Sequence, residues 1–168
     1  MANNCYFELR AKGSREGLAR LINAFTKIFP TEDKMHRVFE FILNDTITNV
    51  EDYCVAEGYG ECAWSVEGCL IDPPEGYSSL VQLSKEEDLV IEVVSEEPGI
   101  GFAEHYIIDS GNFIVNESRD YSEIYLPDAD VNYFNAITKF NFTEEQFQTF
   151  KQSFKDDWFS VGNYSLTI

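Results

Sequence analysis

Strand-like and helix-like patterns alternate along this chain, and their order restricts the folds open to it. Residues 5–11 alternate apolar and polar side chains, which predicts a half-buried strand. A set of apolar residues then recurs at helical spacing: Leu18, Leu21, Ile22, Phe25 and Ile28. Ser14 precedes this stripe as the expected N-cap and Pro30 ends it, so a helix should follow the first strand.

The middle of the chain combines short helical patterns with strands. Residues 35–43 carry apolar side chains at helical spacing and predict a short second helix. Residues 50–72 indicate strand and turn, because aromatic and β-branched side chains are interrupted by glycines. Residues 79–87 predict another short helix, and residues 89–95 predict a strand that a turn at 96–99 should end.

The last third of the chain predicts a hairpin, a helix and a final strand. Residues 101–108 and 112–117 flank turn residues at 109–111 and should pair with each other. Thr143 and Gln146 have the spacing of a capping box, so a helix should cover residues 144–155. A turn at 127–130 precedes that helix and a strand at 159–168 follows it.

This order predicts one α+β domain over residues 1–168, with a mainly antiparallel sheet, helices on one face and ferredoxin-like topology. Hydrophobic residues make up 44% of the chain and aromatic residues 15%, which is typical of a packed body and not of a disordered acidic tail. No apolar run approaches the roughly 20 residues that cross a bilayer. The first residues also lack the pattern of a secretion signal, so a cytoplasmic protein is expected.

Three short segments resemble a known family. They are residues 1–5, which lead into the first strand, residues 59–64, Tyr-Gly-Glu-Cys-Ala-Trp, and residues 95–102, which precede the hairpin. In these segments the chain resembles the YubB/Api92-like ferredoxin-like proteins of phages, plasmids and integrated elements. It departs from their usual Trp-Gly-Thr-Lys-Trp-Asp run, because residues 59–64 contain no basic side chain. The resemblance implies a ferredoxin-like fold and a mobile-element origin, and it carries over no activity.

The four cysteines, Cys5, Cys54, Cys62 and Cys69, do not have the spacing of a metal site. Zinc sites use closely paired ligands such as Cys-x2-Cys, whereas 48, 7 and 6 residues separate consecutive cysteines here. On one regular strand Cys62 and Cys69 would face opposite sides. In a reducing compartment all four are expected to be free thiols without zinc that serve as small buried hydrophobes.

The candidate ligand motifs fail on spacing. Asp128 begins a sequence like a calcium loop, but Tyr133 stands where glycine is needed and Lys139 where a bidentate Glu belongs. Gly99 and Gly101 lack the third glycine of a phosphate-binding loop, and the segment after them predicts a strand where such a loop opens a helix. No cofactor and no metal are therefore expected.

Catalysis has no positive support in the sequence. Glu104 and His105 could form an acid and base pair, but neighbours on a strand face opposite sides and cannot reach one substrate atom. No nucleophile motif is present, so the chain is not expected to be an enzyme. One alternative stays open: a small-ligand domain or unrecognised enzyme with a cleft around Trp64, Glu97, Glu104 and His105.

Acidic residues are concentrated in the middle of the chain. Between Arg37 and Arg119 there are eighteen carboxylates and one base, Lys85, which gives −17 of the total charge of −18. Such a field repels nucleic acid and anionic membranes and attracts basic proteins. We expect Glu92, Glu96 and Glu104 to form a ladder on a sheet face. The acidic residues predicted to bind a partner from one exposed face are Glu86, Glu87, Asp88, Glu92, Glu96, Glu97 and Glu104.

The expected function is that of a nonenzymatic acidic protein that mimics nucleic acid and binds a basic, nucleic-acid-handling protein. Combined with the family resemblance, this predicts a mobile-element-encoded anti-defence inhibitor of a restriction or CRISPR-type nuclease. Two further alternatives stay open. The acidic surface could serve solubility alone, or the chain could be a mobile-element accessory protein with a structural role.

Overall fold

The computed structural model describes residues 3–26, 33–97, 101–120, 130–132, 135, 141–148 and 168. A helical segment covers residues 144–148. Between residues 4 and 120 the elements are, in chain order, β1 (Asn4–Gly13), α1 (Arg15–Thr26), β2 (Val38–Leu43), β3 (Thr48–Val50), β4 (Tyr53–Ala63), a π-helical turn (Glu67–Ile71), α2 (Leu80–Glu87), β5 (Val90–Glu97), β6 (Phe102–Asp109) and β7 (Asn112–Asp120).

These strands form one antiparallel sheet. Neighbouring strands follow the order β2-β4-β1-β5-β6-β7, and β3 pairs with β4 beyond the end of β2. The register places Cys5 of β1 opposite Cys62 of β4, and Leu9 of β1 opposite Val93 of β5. The predicted fold class, α+β with a mainly antiparallel sheet, is therefore confirmed.

Helices α1 and α2 pack on one face of this sheet. Helix α1 buries Leu18 and Leu21, and helix α2 buries Leu80 and Leu83. These side chains belong to the same hydrophobic core as Phe7 at the centre of β1. Burial of one such side chain contributes roughly 1.5–3 kcal/mol, so this shared core holds both helices on the sheet.

A cluster of aromatic rings fills the core between α1 and the strands. Phe25 stacks on Phe41 with 4.4 Å between the ring centroids, and Phe7 lies 6.0 Å from Phe25. Gly58 of β4 lies directly beneath Phe41, because a Cβ added there would be 2.5 Å from Cζ of that ring. The absence of a side chain at this position lets the ring lie against the sheet.

The predicted helix starts are confirmed by their hydrogen bonds. The backbone N–H groups of Gly17 and Gln82 donate to the hydroxyls of Ser14 and Ser79, each at 3.0 Å. The capping box also forms. Thr143 N donates to Gln146 Oε1 at 2.9 Å, and Gln146 N donates to Thr143 Oγ1 at 3.3 Å.

The predicted hairpin is formed by β6 and β7. Ser110 and Gly111 connect the two strands with φ values of 49° and 83°. Positive φ at both central residues is typical of the type I′ turn, whose twist matches that of the paired strands. The N–H of Gly111 donates to Ser84 Oγ at 3.0 Å, which ties this turn to α2.

Two secondary-structure predictions are wrong. Within residues 35–43, where a short helix was expected, residues 38–43 form strand β2, because pairing with β4 and burial of Phe41 outweigh helical spacing. Residues 67–71 form a π-helical turn where strand and turn were expected. Predictions at 28–30, 98–99, 127–129, 149–155 and 159–167 lie outside the described residues. In the described part of the chain, no helix is long and apolar enough to cross a membrane.

Candidate interaction surface

Three of the seven predicted contact residues are buried, so they do not share an exposed face with the other four. Glu92, Glu97 and Glu104 are 0%, 2% and 2% exposed. The pairing of β5 with β6 also places Glu92 and Glu104 on opposite faces of the sheet. The prediction of a carboxylate ladder formed by Glu92, Glu96 and Glu104 is therefore wrong.

The Glu104 carboxylate stabilises the first residues of the π-helical turn. Its Oε2 accepts hydrogen bonds from Val66 N at 2.8 Å and Ser95 Oγ at 2.7 Å, and its Oε1 accepts one from Glu67 N at 3.0 Å. Burial raises the pKa of Glu104 above its ordinary value, although these hydrogen bonds oppose the shift. A buried carboxylate with this many donors is a structural group.

Glu92 forms a buried pair on the other face of the sheet. His105 Nε2 lies 2.9 Å from Glu92 Oε1, and Ile168 N donates to Glu92 Oε2 at 3.1 Å. Both side chains are enclosed, with 7% of the His105 side chain and 0% of the Glu92 side chain exposed. Glu92 is therefore held within the chain and is not presented to a partner.

The alternative cleft around Trp64, Glu97, Glu104 and His105 is not formed. His105 lies on the same face as Glu92, whereas Glu97 and Glu104 lie on the face that the helices cover. Trp64 is 45% exposed after the end of β4. Because the sheet separates His105 from the two carboxylates, the four side chains cannot converge on one ligand.

Glu86 and Glu87 are bound to a single arginine within the chain. Arg20 donates to Glu86 Oε2 at 2.7 Å and to Glu87 Oε1 at 2.6 Å. The same guanidinium donates twice to Asp33, from Nε at 2.6 Å and from Nη2 at 3.0 Å. The Arg20 cluster, formed by these four residues, joins α1 to α2, so a partner would have to compete with Arg20 for both glutamates.

Asp88 and Glu96 complete the predicted set. Asp88 ends α2 in the left-handed conformation, with φ of 53°, and its Oδ1 accepts a hydrogen bond from Ser110 Oγ at 2.6 Å. Glu96 is partly exposed, and burial raises the pKa of its carboxyl. Of the seven predicted residues, Glu96 is the one that belongs to the surface described next.

The face of the sheet away from α1 and α2 carries a group of acidic residues on β2, β4, β1 and β5, and Glu96 is the member that it shares with the predicted set. Strand pairing aligns them in rows: Glu40, Glu61, Tyr6 and Glu96 form one row, and Ile42, Tyr59 and Glu8 form the next. Glu57 and Arg10 form a third. We call these nine residues, Tyr6, Glu8, Arg10, Glu40, Ile42, Glu57, Tyr59, Glu61 and Glu96, the acidic face.

Apolar side chains lie among the carboxylates of the acidic face. Tyr6 is 39% exposed, Ile42 38% and Tyr59 47%. Large exposed rings of this kind supply contact area at interfaces, because they lose little conformational freedom when a partner covers them. The acidic face therefore combines apolar contact area with negative charge.

A depression of about 380 Å³ lies between two rows of the acidic face. Its lining includes Glu8, Arg10, Asn44, Glu57 and Tyr59. Arg10 Nε is 3.2 Å from Glu57 Oε1, an ion pair that does not have hydrogen-bond geometry. The depression is thus bordered by two carboxylates and one guanidinium, with a tyrosine ring at its side.

Like charges stand opposite each other in the first row. Glu40 of β2 is the direct cross-strand partner of Glu61 of β4, and Tyr6 follows on β1. Cβ atoms of such partners are about 4.5–5.5 Å apart, and like charges at that distance destabilise the pair. Asn4 Nδ2 donates to Glu61 Oε2 at 2.9 Å, but it carries no positive charge. None of the four residues of this row on β2, β4, β1 and β5 is a base.

Apart from Glu96, the residues of the acidic face were missed in the sequence, although a signal for them exists. In β1 the residues between the buried positions are Tyr6, Glu8 and Arg10, and in β4 they are Glu57, Tyr59 and Glu61. The period of two marks each set as one strand face. What the sequence does not show is that β1, β2 and β4 are neighbours.

The cysteines form a cluster inside the core. Cys5, Cys62 and Cys69 are buried and all four cysteines are free thiols. Contacts with the Cys5 and Cys69 thiols raise the pKa of Cys62. Cys69 reaches Cys62 because it lies in the π-helical turn and not on a strand. In the ranges that the structure describes, no group of three or more His, Cys, Asp or Glu side chains could hold a metal ion.

Comparisons with protein-family models, curated proteins and solved structures found no match for this chain.

Proposed function

We propose that this chain is a nonenzymatic acidic binding protein whose acidic face binds a basic, nucleic-acid-handling protein. The observation that carries the proposal is the row of Glu40, Glu61, Tyr6 and Glu96, in which two carboxylates oppose each other directly and none of the four residues is a base. A Lys or Arg side chain from a partner would remove this repulsion. Opposed like charges cost roughly 0.2–1 kcal/mol, so part of the favourable binding energy comes from relieving a cost within the free protein.

The charge density of the acidic face supports a partial mimic of nucleic acid. Its five carboxylates and one guanidinium leave a net charge of −4. Rows on a strand repeat about every 6.7 Å, so three rows span roughly 13 Å. B-DNA carries about eight phosphates over that distance. At about half this density, the acidic face would compete for a basic surface by charge and aromatic contact together.

The concrete partner that we propose is a restriction or CRISPR-type nuclease, and the role is that of a mobile-element anti-defence inhibitor acting in the cytoplasm. Support for this class comes from the resemblance of residues 1–5, 59–64 and 95–102 to YubB/Api92-like proteins and from the total charge of −18. A nuclease presents basic surfaces to DNA, and such surfaces attract an acidic protein at long range.

The fold also supports this resemblance, and we infer a ferredoxin-like core with an added hairpin. The elements β1-α1-β2-β4-α2-β5 follow each other as strand, helix, strand, strand, helix and strand. Their strands are neighbours in the order β2-β4-β1-β5, and the hairpin β6-β7 extends the β5 edge. The short strand β3 is an insertion between β2 and β4.

The experiment compares two variants with equal charge. The face variant carries Glu8→Gln, Glu40→Gln and Glu61→Gln, and the control variant carries three substitutions at exposed positions elsewhere: Glu16→Gln, Glu51→Gln and Glu75→Gln. Binding to a panel of restriction and CRISPR-type nucleases, and inhibition of their DNA cleavage, are measured at low and high salt. The wild-type chain should inhibit at least one nuclease, and binding should weaken steeply with salt.

The two variants should differ. We expect the face variant to bind about tenfold more weakly or worse, because charged contacts at an interface change both association rate and affinity. The control variant should bind like the wild-type chain. Equal losses in both variants would mean that total charge matters and the acidic face does not. Failure of every nuclease in the panel to bind at low salt would reject the nuclease class.

A further inference from the structure

Among the described strands, β2 lies at one edge of the sheet, and it contributes Glu40 and Ile42 to the acidic face. No strand among the described residues pairs with its outer edge. Side chains along this edge are open to solvent: Phe39 is 54% exposed and Ile42 38%, and Glu40 is also exposed. An open edge strand of this kind presents backbone donors and acceptors that another strand can pair with.

The backbone groups that point outward can be identified. Asn44 N donates to Glu57 O, and the carbonyl oxygen of Ile42 would lie 2.7 Å from a Cβ added to Gly58. The backbone N–H and C=O groups of residues 42 and 44 therefore point towards β4. Because N–H and C=O groups alternate sides along an antiparallel strand, those of Phe41 and Leu43 point to the outer edge. A register shift between residues 38 and 40 marks a bulge that limits this open stretch to its second half.

We propose that the basic partner binds by adding an extended strand to the outer edge of β2, a proposal that rests on the function proposed above. Alternate side chains of the added strand would lie beside Glu40 and Ile42 on the acidic face. The intervening side chains would lie beside Phe41 and Leu43. The recognised segment is therefore extended, with Lys or Arg at every second position and apolar residues between them.

Charge selects this occupant over a second copy of the same chain. Edge-to-edge pairing of two β2 strands would bring two acidic faces together, each with Glu40 near its edge, and each chain carries a net charge of −18. Like charges across a strand pair are unfavourable. A strand with Lys or Arg beside Glu40 adds attraction where the second copy adds repulsion, so a basic partner fits this edge.

The test uses ¹⁵N-labelled wild-type protein and an eight-residue peptide of alternating Lys and Val at low salt. With saturating peptide, hydrogen exchange of the Phe41 and Leu43 amides should slow at least tenfold. The amide of Ile42 already faces β4 and should change little. A peptide of the same sequence with every backbone nitrogen methylated keeps its charges but cannot donate hydrogen bonds, and we expect it to bind at least tenfold more weakly.

Each outcome separates this inference from the proposed function. Saturating peptide with unchanged exchange at Phe41 and Leu43, or equal binding of the methylated peptide, would overturn strand addition. Absence of peptide binding would also overturn it, even if the face variant still loses nuclease binding, and in that case the proposed function stands. If no nuclease binds but the peptide protects both amides, strand addition stands and the proposed nuclease target fails.

Discussion

Replacement of Arg20 by glutamine should destabilise the fold through the Arg20 cluster. The guanidinium donates to Asp33, Glu86 and Glu87 at distances between 2.6 and 3.0 Å. Glutamine would remove the positive charge that these three carboxylates share. The cluster joins α1 to α2 across the helical side of the molecule, so its loss should weaken the packing of both helices.

The size of this stability loss follows from how exposed the four side chains are and from the number of ion pairs that Arg20 forms with them. The Arg20 side chain is 33% exposed, and those of Asp33, Glu86 and Glu87 are 15%, 42% and 26% exposed. Partly exposed ion pairs are worth about 0.2–1 kcal/mol each. Three pairs therefore give a loss of roughly 1–3 kcal/mol in the free energy of unfolding. For a domain of this size, 2 kcal/mol lowers Tm by about 4–8 °C.

The loss should depend on pH in a defined direction. Arg20 holds the pKa of Asp33 below its ordinary value, and Gln82 together with Arg20 does the same for Glu86. A carboxyl with a lower pKa in the folded state adds stability above its unfolded pKa, and this stability is lost as the pH falls through the folded pKa. The difference between the wild-type and Arg20→Gln chains should therefore be largest near pH 7 and shrink below about pH 4.

Urea denaturation at pH 7 and in acid measures this difference. Arg15→Gln is the matched control, because it removes the same charge from α1, where Arg15 donates to the Ile47 carbonyl and to Asn49 and forms no ion pair with a carboxylate among the described residues. The control should lose less than about 1 kcal/mol. A loss for Arg20→Gln that equals the control, or that persists unchanged in acid, would refute the role assigned to the cluster.

Further predictions concern the sheet and the core. Glu40→Gln should raise the free energy of unfolding by roughly 0.2–1 kcal/mol at low salt and by less at 1 M salt, because it removes the repulsion from Glu61. Glu75→Gln, an exposed control in a turn, should not reproduce the full gain. Urea denaturation of both variants measures the difference. Glu104→Ala should cost about 3–5 kcal/mol, because it leaves the buried N–H of Val66, the buried hydroxyl of Ser95 and the partly buried N–H of Glu67 without this acceptor. Gly58→Ala should cost about 1–3 kcal/mol through overlap with Phe41, while Gly68→Ala should cost little, and equal Tm values for the two variants would contradict this packing. In a thiol titration of the native protein, Cys54 should react first and Cys5, Cys62 and Cys69 only on unfolding.

Local sequence patterns sufficed to predict most of the helix starts, strands and turns that the structure describes. Ser14, Ser79 and Thr143 cap helices because a side-chain oxygen can reach a backbone N–H three residues later in the same chain. The hairpin turn at 110 and 111 is equally local. Such features involve residues close in sequence, so they require no knowledge of the remaining fold.

Tertiary pairing decided what local patterns could not. The helical spacing of residues 38–43 gave way to strand β2, because β4 offered a partner edge and Gly58 left space for Phe41. The π-helical turn likewise brought Cys69 to Cys62, although their spacing in sequence suggested opposite faces. Both outcomes depend on segments that are distant in sequence.

The sequence determined that this protein carries a large negative charge on an α+β body, because charge and periodicity are sums and spacings along one chain. Only the tertiary structure decided which carboxylates meet solvent. Glu8 and Glu92 both occupy the face of the sheet away from α1 and α2, yet Glu8 lines an open depression and Glu92 is fully buried beside His105. Exposure depends on what packs against a residue from elsewhere in the chain, and no local pattern records those contacts.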